Sequence, residues 1–505
     1  MAKEIANNLA WDGEAPVGKK LPVRRKLRVG IIDADLLDHG TRHPNLALMK
    51  LSGWLKGVHR KEPSNDLMSE IDYSSRPDVD VRLVLESDLR NQSLEQLCTR
   101  FDKFIISKVF DFSGLPEVFR AEWNADFDRL PAERIFTEGD DKHLSWYRDR
   151  AHRFIFGGTG FIPDLAKRDH VSDVRLPNNL PPEIEHAFPD YHLYDQFVEL
   201  EKRAGKKAEH YKDYENFSIG FLSRGCFRRC AFCVNRNYRN VTPHSPLIEF
   251  FDPKREHVYL WDDNFFGLIS HANPAGGHGG YNASWASMLE HLRRTGKSFQ
   301  FRQGLDIRLM TPELAVEFST CKYYGDYIFA FDHYAQKREI ITGLLHWKRA
   351  NETSIPKFYV LCGFRHEGRA VDDIYETMKR VRILMHFGAL PYIMRHLDYK
   401  KSPFSGLYTQ LARWCNQPQF FKKKSFAEFI QANQYYHEKG AHRNPKCASQ
   451  VALDTFLSHE GTTQNGITTQ AIADEFFHLK WQDLRWKWKT ESYYGEPGLQ
   501  PKEDV

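Results

Sequence analysis

The chain has 505 residues, which is too long for one hydrophobic core and predicts two or three domains. Hydrophobic residues make up 41%, mean hydropathy is −0.58, and no apolar run approaches the roughly 20 residues that cross a bilayer, which argues against a membrane protein. The N-terminus lacks the apolar stretch of a secretory signal, so we expect the reducing cytoplasm and reduced cysteines. A formal net charge of +4 is too small to identify a nucleic-acid-binding protein.

The N-terminal third alternates between apolar runs and polar segments. Residues 1–25 are polar and predict a flexible tail. From Leu27, LRVGIIDADLL has the near-continuous apolar character of a buried parallel strand, and LALMKLSGWLK after it has helical spacing. Over residues 26–165 this alternation predicts a doubly wound parallel sheet. The further apolar runs are 79–85, 104–109 and 154–156.

A polar segment separates this region from a second series of strands and helices. Residues 166–213 contain four prolines and predict a linker between domains. Short apolar runs then recur over residues 214–396, each followed by a segment of helical length, so the whole chain belongs to the α/β class. The six predicted strands are 218–222, 258–261, 299–302, 327–331, 358–361 and 391–394.

The first of these strands leads into Cys226, Cys230 and Cys233, a C-x3-C-x2-C pattern. Thiolates hold iron-sulfur clusters, normally four to a cluster, so three without an obvious fourth predict a cluster with one iron open to another ligand. A structural zinc site and three buried thiols are the alternatives, but zinc favours four ligands in C-x2-C pairs, and core residues are not spaced in this way. No second cluster motif is found among Cys98, Cys321, Cys362, Cys415 and Cys447.

The cysteine pattern, with Phe232 directly before the last cysteine, resembles the signature of the radical S-adenosylmethionine (SAM) superfamily. The resemblance implies a [4Fe-4S] cluster on the three cysteines, whose open iron binds SAM, and reductive cleavage to a 5'-deoxyadenosyl radical. It also implies a partial (β/α)6 TIM-type barrel over residues 214–396, with working residues at the carboxyl ends of the strands, followed by a mostly helical extension over 397–505. A reductant such as flavodoxin or ferredoxin would be a partner.

The second strand of the repeat ends in WDDNFFG, which presents Asp262, Asp263 and Asn264. This stretch is similar to the family position that binds the amino group of SAM, and oxygen acceptors suit an ammonium ligand. The alternative is a strand-end turn with solvated aspartates.

The third and fifth strands end in residues that the same resemblance assigns to the cofactor. FRQGLDIRL looks like its counterpart in a little-characterised group of stand-alone radical SAM proteins, and the likeness to that group spans residues 27–430. It implies that Arg308 pairs with the carboxylate of SAM while Asp306 orients it. The alternative is that Asp306 and Arg308 only form an ion pair with each other. Gly363 resembles a strand-end glycine whose backbone lies near the adenine or the methionine sulfur.

The fourth strand ends in FAFDHY, which presents Asp332 and His333. These are the candidate catalytic residues, as a substrate contact or proton carrier. A solvated loop pair is the alternative, since no spacing fixes their geometry.

Residues 26–165 resemble the cobalamin-binding Rossmann-like module that precedes the barrel in one branch of the superfamily. The D-x-H-x-x-G motif that ligates cobalt there is not found, so cobalamin is not expected, although Gly157 and Gly158 look like the later glycine pair of that module. A phosphate site at GGTG lacks the full glycine-rich fingerprint.

Cations and aromatic residues alternate after the sixth strand, as they do in proteins that bind single-stranded nucleic acid. The alternative, a helix with an aromatic inner face and a solvated lysine end, is favoured. The cations are Arg395, Lys400, Lys401, Arg413 and Lys422 to Lys424, and the aromatic residues are Tyr399, Phe404, Tyr408, Trp414, Phe420 and Phe421.

These features favour hydrogen abstraction from a nucleobase or nucleoside, with isomerisation of a hypermodified DNA base as one case and DNA or another nucleic acid as the partner. The protein would bind the cluster and position SAM, which supplies the radical chemistry. Methylthiotransferase chemistry is disfavoured by the lack of a second cysteine cluster, and cobalamin-dependent methyl transfer by the lack of the cobalt motif. A non-catalytic nucleic-acid-binding protein with a structural metal site is the hypothesis from another class.

Overall fold

The computed structural model describes residues 26–62, 66–110, 112–121, 153–161, 180–233, 235, 238–268, 284–364, 368–440 and 446–484. The predicted tail, the start of the predicted linker at 166–179 and the end of the extension at 485–505 lie outside them. The described chain is a mixed α/β protein with parallel sheets and many helices, as predicted. It divides into two compact units, Met1–Gly220 with Ser245–Val258, and Phe221–His244 with Tyr259–Val505.

The described elements up to Gly220 alternate between short strands and helices. The strands are β1 (Leu27–Asp33), β2 (His59–Arg60), β3 (Ile71–Asp72), β4 (Val79–Leu83), β5 (Lys103–Ser107), β6 (Phe154–Gly157) and β7 (Phe217–Gly220). The α-helices are α1 (Ala34–His39), α2 (Leu46–Lys56), α3 (Glu86–Leu89), α4 (Leu94–Arg100), α5 (Pro182–Glu185), α6 (Asp195–Arg203) and α7 (Lys212–Glu215).

The described elements after Gly220 continue the same alternation and then become helical. The strands are β8 (Ser223–Arg224), β9 (Thr242–Pro243), β10 (His257–Leu260), β11 (Ser298–Phe301), β12 (Ile328–Ala330), β13 (Lys357–Cys362) and β14 (Leu390–Arg395). The helices are α8 (Trp285–Arg294), α9 (Pro312–Ser319), α10 (Lys337–Ala350), α11 (Ala370–His386), α12 (Ser405–Cys415), α13 (Pro418–Phe421), α14 (Phe426–Lys439), α15 (Ala448–Leu457), α16 (Thr469–Phe476) and α17 (Trp481–Leu484).

A four-stranded sheet in the order β4-β1-β5-β6 organises the first unit, and all of its pairs are parallel. β1 is paired on both edges and is buried over residues 29–33, which explains the apolar residues Val29, Ile31 and Ile32. The chain passes from β1 to β4 on one side and then to β5 on the other, so the strand order reverses beside β1. The predicted strands of this region are therefore present.

Hydrophobic clusters lie on both faces of this sheet. Leu48, Leu51 and Leu55 of α2 pack in one cluster with alternate residues of β1, and Leu97 of α4 packs with Phe104 in the other. Asn45 caps α2 by accepting a hydrogen bond from the Leu48 amide.

The described part of the predicted linker belongs to this core. From residue 180 on, Ile184, Tyr191 and Tyr194 are buried in the same cluster as α2. The Tyr191 hydroxyl accepts a hydrogen bond from the Ile219 amide and donates one to the Phe250 carbonyl. Pro181 and Pro182 lie at the start of α5, and the segment is structured where it is described.

The six strands predicted for the second region are all present, with each end within two residues of the expected position. They form two three-stranded sheets, in the orders β7-β10-β11 and β12-β13-β14, and β12, β13 and β14 are parallel. An isolated parallel bridge pairs Leu305, just after β11, with Phe329 in β12. The described carboxyl ends of β11 through β14 therefore share one edge.

The described part of the extension is helical, as predicted, and its aromatic residues form a core. Phe404, Tyr408, Trp414 and Phe421 are all at most 1% exposed, so they are not available to stack on bases. The aromatic inner face, which was the favoured alternative, is what these four residues form. No helix in the described part of the chain is long and apolar enough to span a membrane.

Candidate functional site

The three cysteines lie on a loop, here called the cysteine loop (residues 225–235), that leaves β8. β8 pairs with β9 in antiparallel register, which closes the base of the loop. Gly225 has φ of +93°, and a Cβ there would lie 2.4 Å from the Asn240 carbonyl oxygen, so only glycine suits this turn. Cys226, Cys230 and Cys233 are partly buried free thiols.

Asp262, directly after β10, fixes the chain just before the loop. Its carboxylate accepts hydrogen bonds from the Leu222 amide (3.2 Å), the Ser223 amide (2.6 Å) and the Ser223 hydroxyl (2.6 Å). Burial raises the pKa of Asp262 to about 7, and the hydrogen bonds from Ser223 and Leu222 oppose that rise. Sequence reasoning assigned Asp262 to cofactor binding, whereas its oxygens are used here to hold the base of the loop.

Asp263 joins the two ends of the cysteine loop. One carboxylate oxygen accepts from the Gly225 amide (2.8 Å) and the other from the Asn235 side-chain amide (2.6 Å).

Asn264 reaches the first thiol, because its Nδ2 donates to Cys226 Sγ at 3.4 Å. The Asn264 side-chain oxygen is buried and has no hydrogen-bond partner among the described residues. A buried acceptor without a partner, next to a thiol, is suited to a ligand that carries N–H donors.

Asp306 connects the middle of the cysteine loop to the end of β11. It accepts from Arg228 Nε and from Arg308 Nε, both at 2.6 Å, and it is 6% exposed. The ion pair between Asp306 and Arg308, which the sequence offers as the alternative to a cofactor role, is therefore present, and it also fixes the direction of Arg308. Arg228 was not identified from sequence, although a cation between two cysteines and an acidic strand end is the signal that would have found it.

The thiols match a cluster in donor type, in spacing and in their hydrogen bonds. Cys226 Sγ accepts from the Arg228 amide and Cys233 Sγ from the Asn235 amide, both at 3.4 Å, and N–H donors to sulfur tune cluster potentials. Among the described residues, no three His, Cys, Asp or Glu side chains are grouped so that they could hold a metal ion as they stand.

Burial favours the protonated form of two of the thiols, Cys230 and Cys233. It raises the pKa of Cys230 to about 11, with a further contribution from the Asp332 carboxylate, and it also raises the pKa of Cys233. A metal that binds thiolates must displace these protons, so loading would be favoured by raised pH.

Asp332 and His333 follow β12, at the edge where β11 and β13 also end. Burial raises the pKa of Asp332 to about 6, opposed by Arg380 and Arg308. Burial also lowers the pKa of His333, with the same two arginines adding to the effect, so its imidazole is neutral at pH 7. Arg380 donates to the Asp332 carbonyl at 2.6 Å, which fixes this turn. The Asp332 carboxylate in turn contributes to the raised pKa of Cys230.

Gly363 follows β13 and has φ of +73°. Its amide donates to Asp373 Oδ2 at 2.8 Å, and the Tyr408 hydroxyl donates to the same oxygen at 2.5 Å. A Cβ at this position would lie 2.5 Å from the Tyr399 Cβ, so any other residue would displace the turn. Asp373 was not identified from sequence, because nothing in a helical segment marks a carboxylate that supports a strand end ten residues away.

The GGTG segment of the first unit does not form an open phosphate cradle. A Cβ on Gly158 would lie 2.3 Å from the Lys108 carbonyl oxygen, and one on Gly160 would lie 2.5 Å from the Phe110 carbonyl oxygen. The Gly160 amide donates to Lys108 O, and the Thr159 hydroxyl donates to Val109 O. These glycines allow two strand-end loops to pack closely together.

No protein-family model matches the chain, and no curated protein is significantly similar to it.

Proposed function

We propose that the chain is a radical SAM enzyme, in which Cys226, Cys230 and Cys233 hold a [4Fe-4S] cluster. One observation carries the proposal: polar residues at the ends of β10 and β11 all bond to the loop that presents the three thiols. Asp263 and Asn264 reach it from β10, and Asp306 reaches it from the end of β11. The support is independent of the cysteine spacing itself.

The bound cluster and SAM would together supply a 5'-deoxyadenosyl radical that removes hydrogen from an unactivated carbon. The unpartnered oxygen of Asn264 would accept a hydrogen bond from the ammonium of SAM, and Arg308, directed by Asp306, would bind its carboxylate. The backbone at Gly363 would lie near the adenine or the methionine sulfur, in a turn against which Tyr399 packs. Asp262 would act by holding the loop rather than by touching the cofactor.

The proposed architecture is a partial (β/α)6 barrel in the second region, preceded by a Rossmann-like module that does not use cobalamin. The supports are the six strands, of which β10 to β14 are each followed by an α-helix among the described residues, and the all-parallel sheet in the order β4-β1-β5-β6. A flavodoxin or ferredoxin in the cytoplasm would supply the electron.

The proposed substrate is a nucleobase or nucleoside in nucleic acid, with isomerisation of a hypermodified DNA base as one case. His333 would be neutral and able to take up a proton at a ring nitrogen, while Asp332 would carry a negative charge at pH 7. An isomerase would return the hydrogen to its product and regenerate SAM, whereas a transferase would consume it.

Anaerobic reconstitution with iron and sulfide tests the chemistry. We expect a [4Fe-4S] signal that changes when SAM is added, and 5'-deoxyadenosine when a reductant is present. Cys226→Ala should remove the product completely, whereas Cys447→Ala, at another partly buried cysteine, should leave it unchanged. Product from Cys226→Ala at the wild-type rate, or a protein that takes up only zinc, would refute the proposal and favour a structural metal site.

Mass spectrometry of nucleosides tests the substrate. DNA and RNA from cells with the protein should contain a nucleoside that is altered or missing in cells with Cys226→Ala. Identical nucleosides in both would reject a nucleobase substrate while leaving the SAM chemistry intact.

A further inference from the structure

The end of β14 and the turn after it form an exposed surface that is both apolar and cationic. This surface, here called the β14 rim, comprises residues 394–401, MRHLDYKK. Met394 is 43% exposed and Leu397 63% exposed, which is unusual for large apolar side chains outside an interface. With three cations and one carboxylate, the rim carries two net positive charges when its histidine is neutral. Its cations are Arg395, Lys400 and Lys401, all exposed.

The charged groups of the rim are only partly neutralised. Lys401 Nζ lies 3.2 Å from the Asp398 carboxylate, while Lys400 has no ion-pair partner among the described residues. Arg395 donates to the hydroxyls of Tyr399 (3.1 Å) and Thr409 (2.9 Å), and its guanidinium lies 4.7 Å from the centre of the Tyr399 ring. These contacts hold Arg395 in place without neutralising its charge.

A row of aromatic rings connects the rim to the cysteine loop. The ring of Phe232, between Cys230 and Cys233, lies 5.9 Å from His333 and 5.8 Å from Phe364. Phe364 in turn lies 4.8 Å from His396 of the rim, edge to face. The row follows the ends of β12, β13 and β14, and none of its four rings is fully buried.

We propose that this row and the β14 rim bind a nucleotide unit, whose base stacks on the row and whose phosphate contacts the rim cations. The proposal rests on the proposed function and specifies where its substrate binds. Rings flanked by cations are the usual surface for unpaired nucleotides, because every base has a stacking face and phosphates attract cations. Bases inside a duplex cannot reach such a row, so the occupant is an unpaired base in a strand or a free nucleotide.

This surface differs from the basic and aromatic segment seen in the sequence. Four aromatic residues of that segment are buried, and only Arg395, Tyr399, Lys400 and Lys401 of it belong to the rim. Of the four rings in the row, only His396 belongs to the rim. His333 and Phe364 follow β12 and β13, and Phe232 lies on the cysteine loop. Sequence order separates these residues, and the shared edge of the parallel strands brings them together.

Binding of labelled 12-mer oligonucleotides to the reconstituted full-length protein tests the proposal. Fluorescence anisotropy would compare single-stranded DNA, RNA of the same sequence, duplex DNA and a competing nucleoside monophosphate. Lys400→Ala/Lys401→Ala is compared with Arg413→Ala/Lys423→Ala, which removes two exposed cations elsewhere on the extension. Each lost phosphate contact lowers the slope of log affinity against log salt by about 0.7 for a single strand.

We expect single strands to bind more tightly than duplex, and the rim double variant to bind about tenfold more weakly with a salt slope reduced by about 1.4. The control double variant should bind as the wild type does. Phe364→Leu should also weaken binding by about tenfold, with no change of salt slope, because a stacking face is lost and no charge. Competition by the monophosphate as strong as that by the strand would assign the site to free nucleotides, with the same chemistry.

Equal loss in both double variants, no nucleic-acid binding by the wild type, or tighter binding of duplex would overturn the proposal. Formation of 5'-deoxyadenosine without added nucleic acid is measured on the same preparations. A wild-type protein that forms 5'-deoxyadenosine but binds no oligonucleotide rejects the rim, whereas a wild-type protein that binds oligonucleotides but forms no 5'-deoxyadenosine rejects the radical chemistry. The two failures are therefore distinguishable.

Discussion

Both units place buried carboxylates directly after parallel strands, and the carboxylates do the same physical work in each. In the first unit, Asp35 accepts hydrogen bonds from the amides of Val109 and Phe110 and from the Ser113 hydroxyl. In the second unit, Asp262 accepts from the Leu222 amide and from the amide and hydroxyl of Ser223. Each carboxylate fixes a neighbouring loop by three hydrogen bonds.

The two units differ in what the fixed loops carry. The loop that Asp35 fixes carries no thiol, whereas the chain that Asp262 fixes leads into three cysteines. Asp263, Asn264 and Asp306 then add further bonds to that loop, and the first unit has no such group of strand-end residues on one loop among its described residues. An acidic residue at a strand end is therefore a weak sign of a site, and several that converge on one loop are a strong one.

Replacing Asp35 and Asp262 one at a time should show which carboxylate supports only the fold and which also supports the site. These two variants should give the largest effects that we expect. Asp262→Ala and Asp35→Ala each leave three donors without an acceptor, at a cost of about 3–5 kcal/mol of local stability. Only Asp262→Ala should also weaken iron binding, by about 10- to 100-fold, because it supports the ligand loop. Hydrogen exchange measures the first effect, and iron titration under anaerobic conditions measures the second.

Asp35→Ala serves as the internal control, since it loses as many hydrogen bonds in the other unit. Its basal formation of 5'-deoxyadenosine should match that of the wild type. Equal iron affinity in Asp262→Ala and the wild type would show that the loop holds its shape without this carboxylate.

Local pattern was sufficient to find most elements, and only partly sufficient for the site. The apolar run from Leu27 and the six later runs all form strands, because a strand inside a sheet places most of its side chains in apolar surroundings. The cysteine loop could also be identified from the sequence, since its three cysteines lie within eight residues. Asp373 and Phe364 were not identified from the sequence. Asp373 supports a strand end from a helix, and Phe364 is notable only because it contacts rings that are distant in sequence.

Polar residues were harder to interpret than apolar ones. Sequence analysis assigned both Asp262 and Asp263 to the cofactor. In the structure, both carboxylates accept hydrogen bonds from backbone amides at the start of the cysteine loop. Spacing along the chain does not reveal which donors a carboxylate will meet, since the donors lie almost forty residues earlier. The prolines of the predicted linker were misleading for a related reason, as burial of Tyr191 and Tyr194 depends on a distant sheet.

Asp33 provides a pH-dependent difference between the units. Burial raises its pKa to about 6 from an ordinary 3.8, although the Tyr194 hydroxyl and the Leu36 amide donate to it. The folded state therefore prefers the protonated form, so stability is complete below pH 4 and falls as pH rises through 6, by about 2–3 kcal/mol.

Hydrogen exchange of β1 amides between pH 3.5 and 8, corrected for intrinsic rates, measures this loss. Asp33→Asn should give nearly constant protection across the range, since an amide has no charge to bury. A wild-type β1 whose protection does not change with pH would show that the ionised carboxylate is tolerated at no cost. Amides of β13, in the other unit, provide the reference.

The bridge from Arg228 through Asp306 to Arg308 should give the smallest effect and the sharpest test of what the second unit adds. Asp306→Asn keeps the size of the side chain but loses the charge that holds both guanidinium groups at 2.6 Å. We expect KM for SAM to rise about tenfold with kcat changed by less than about threefold, because a buried charged hydrogen bond to Arg308 is weakened while the thiols remain.

Asp326→Asn is the matched control, since it breaks an exposed ion pair with Lys357 near the start of β13 and should change neither constant. Iron content distinguishes the two possible roles of Asp306. Unchanged iron with a raised KM means that the carboxylate positions Arg308 for the cofactor. Lost iron with an unchanged KM in the remaining loaded protein means that it only stabilises the loop, and the second unit would then use this carboxylate no differently from the way the first unit uses Asp35.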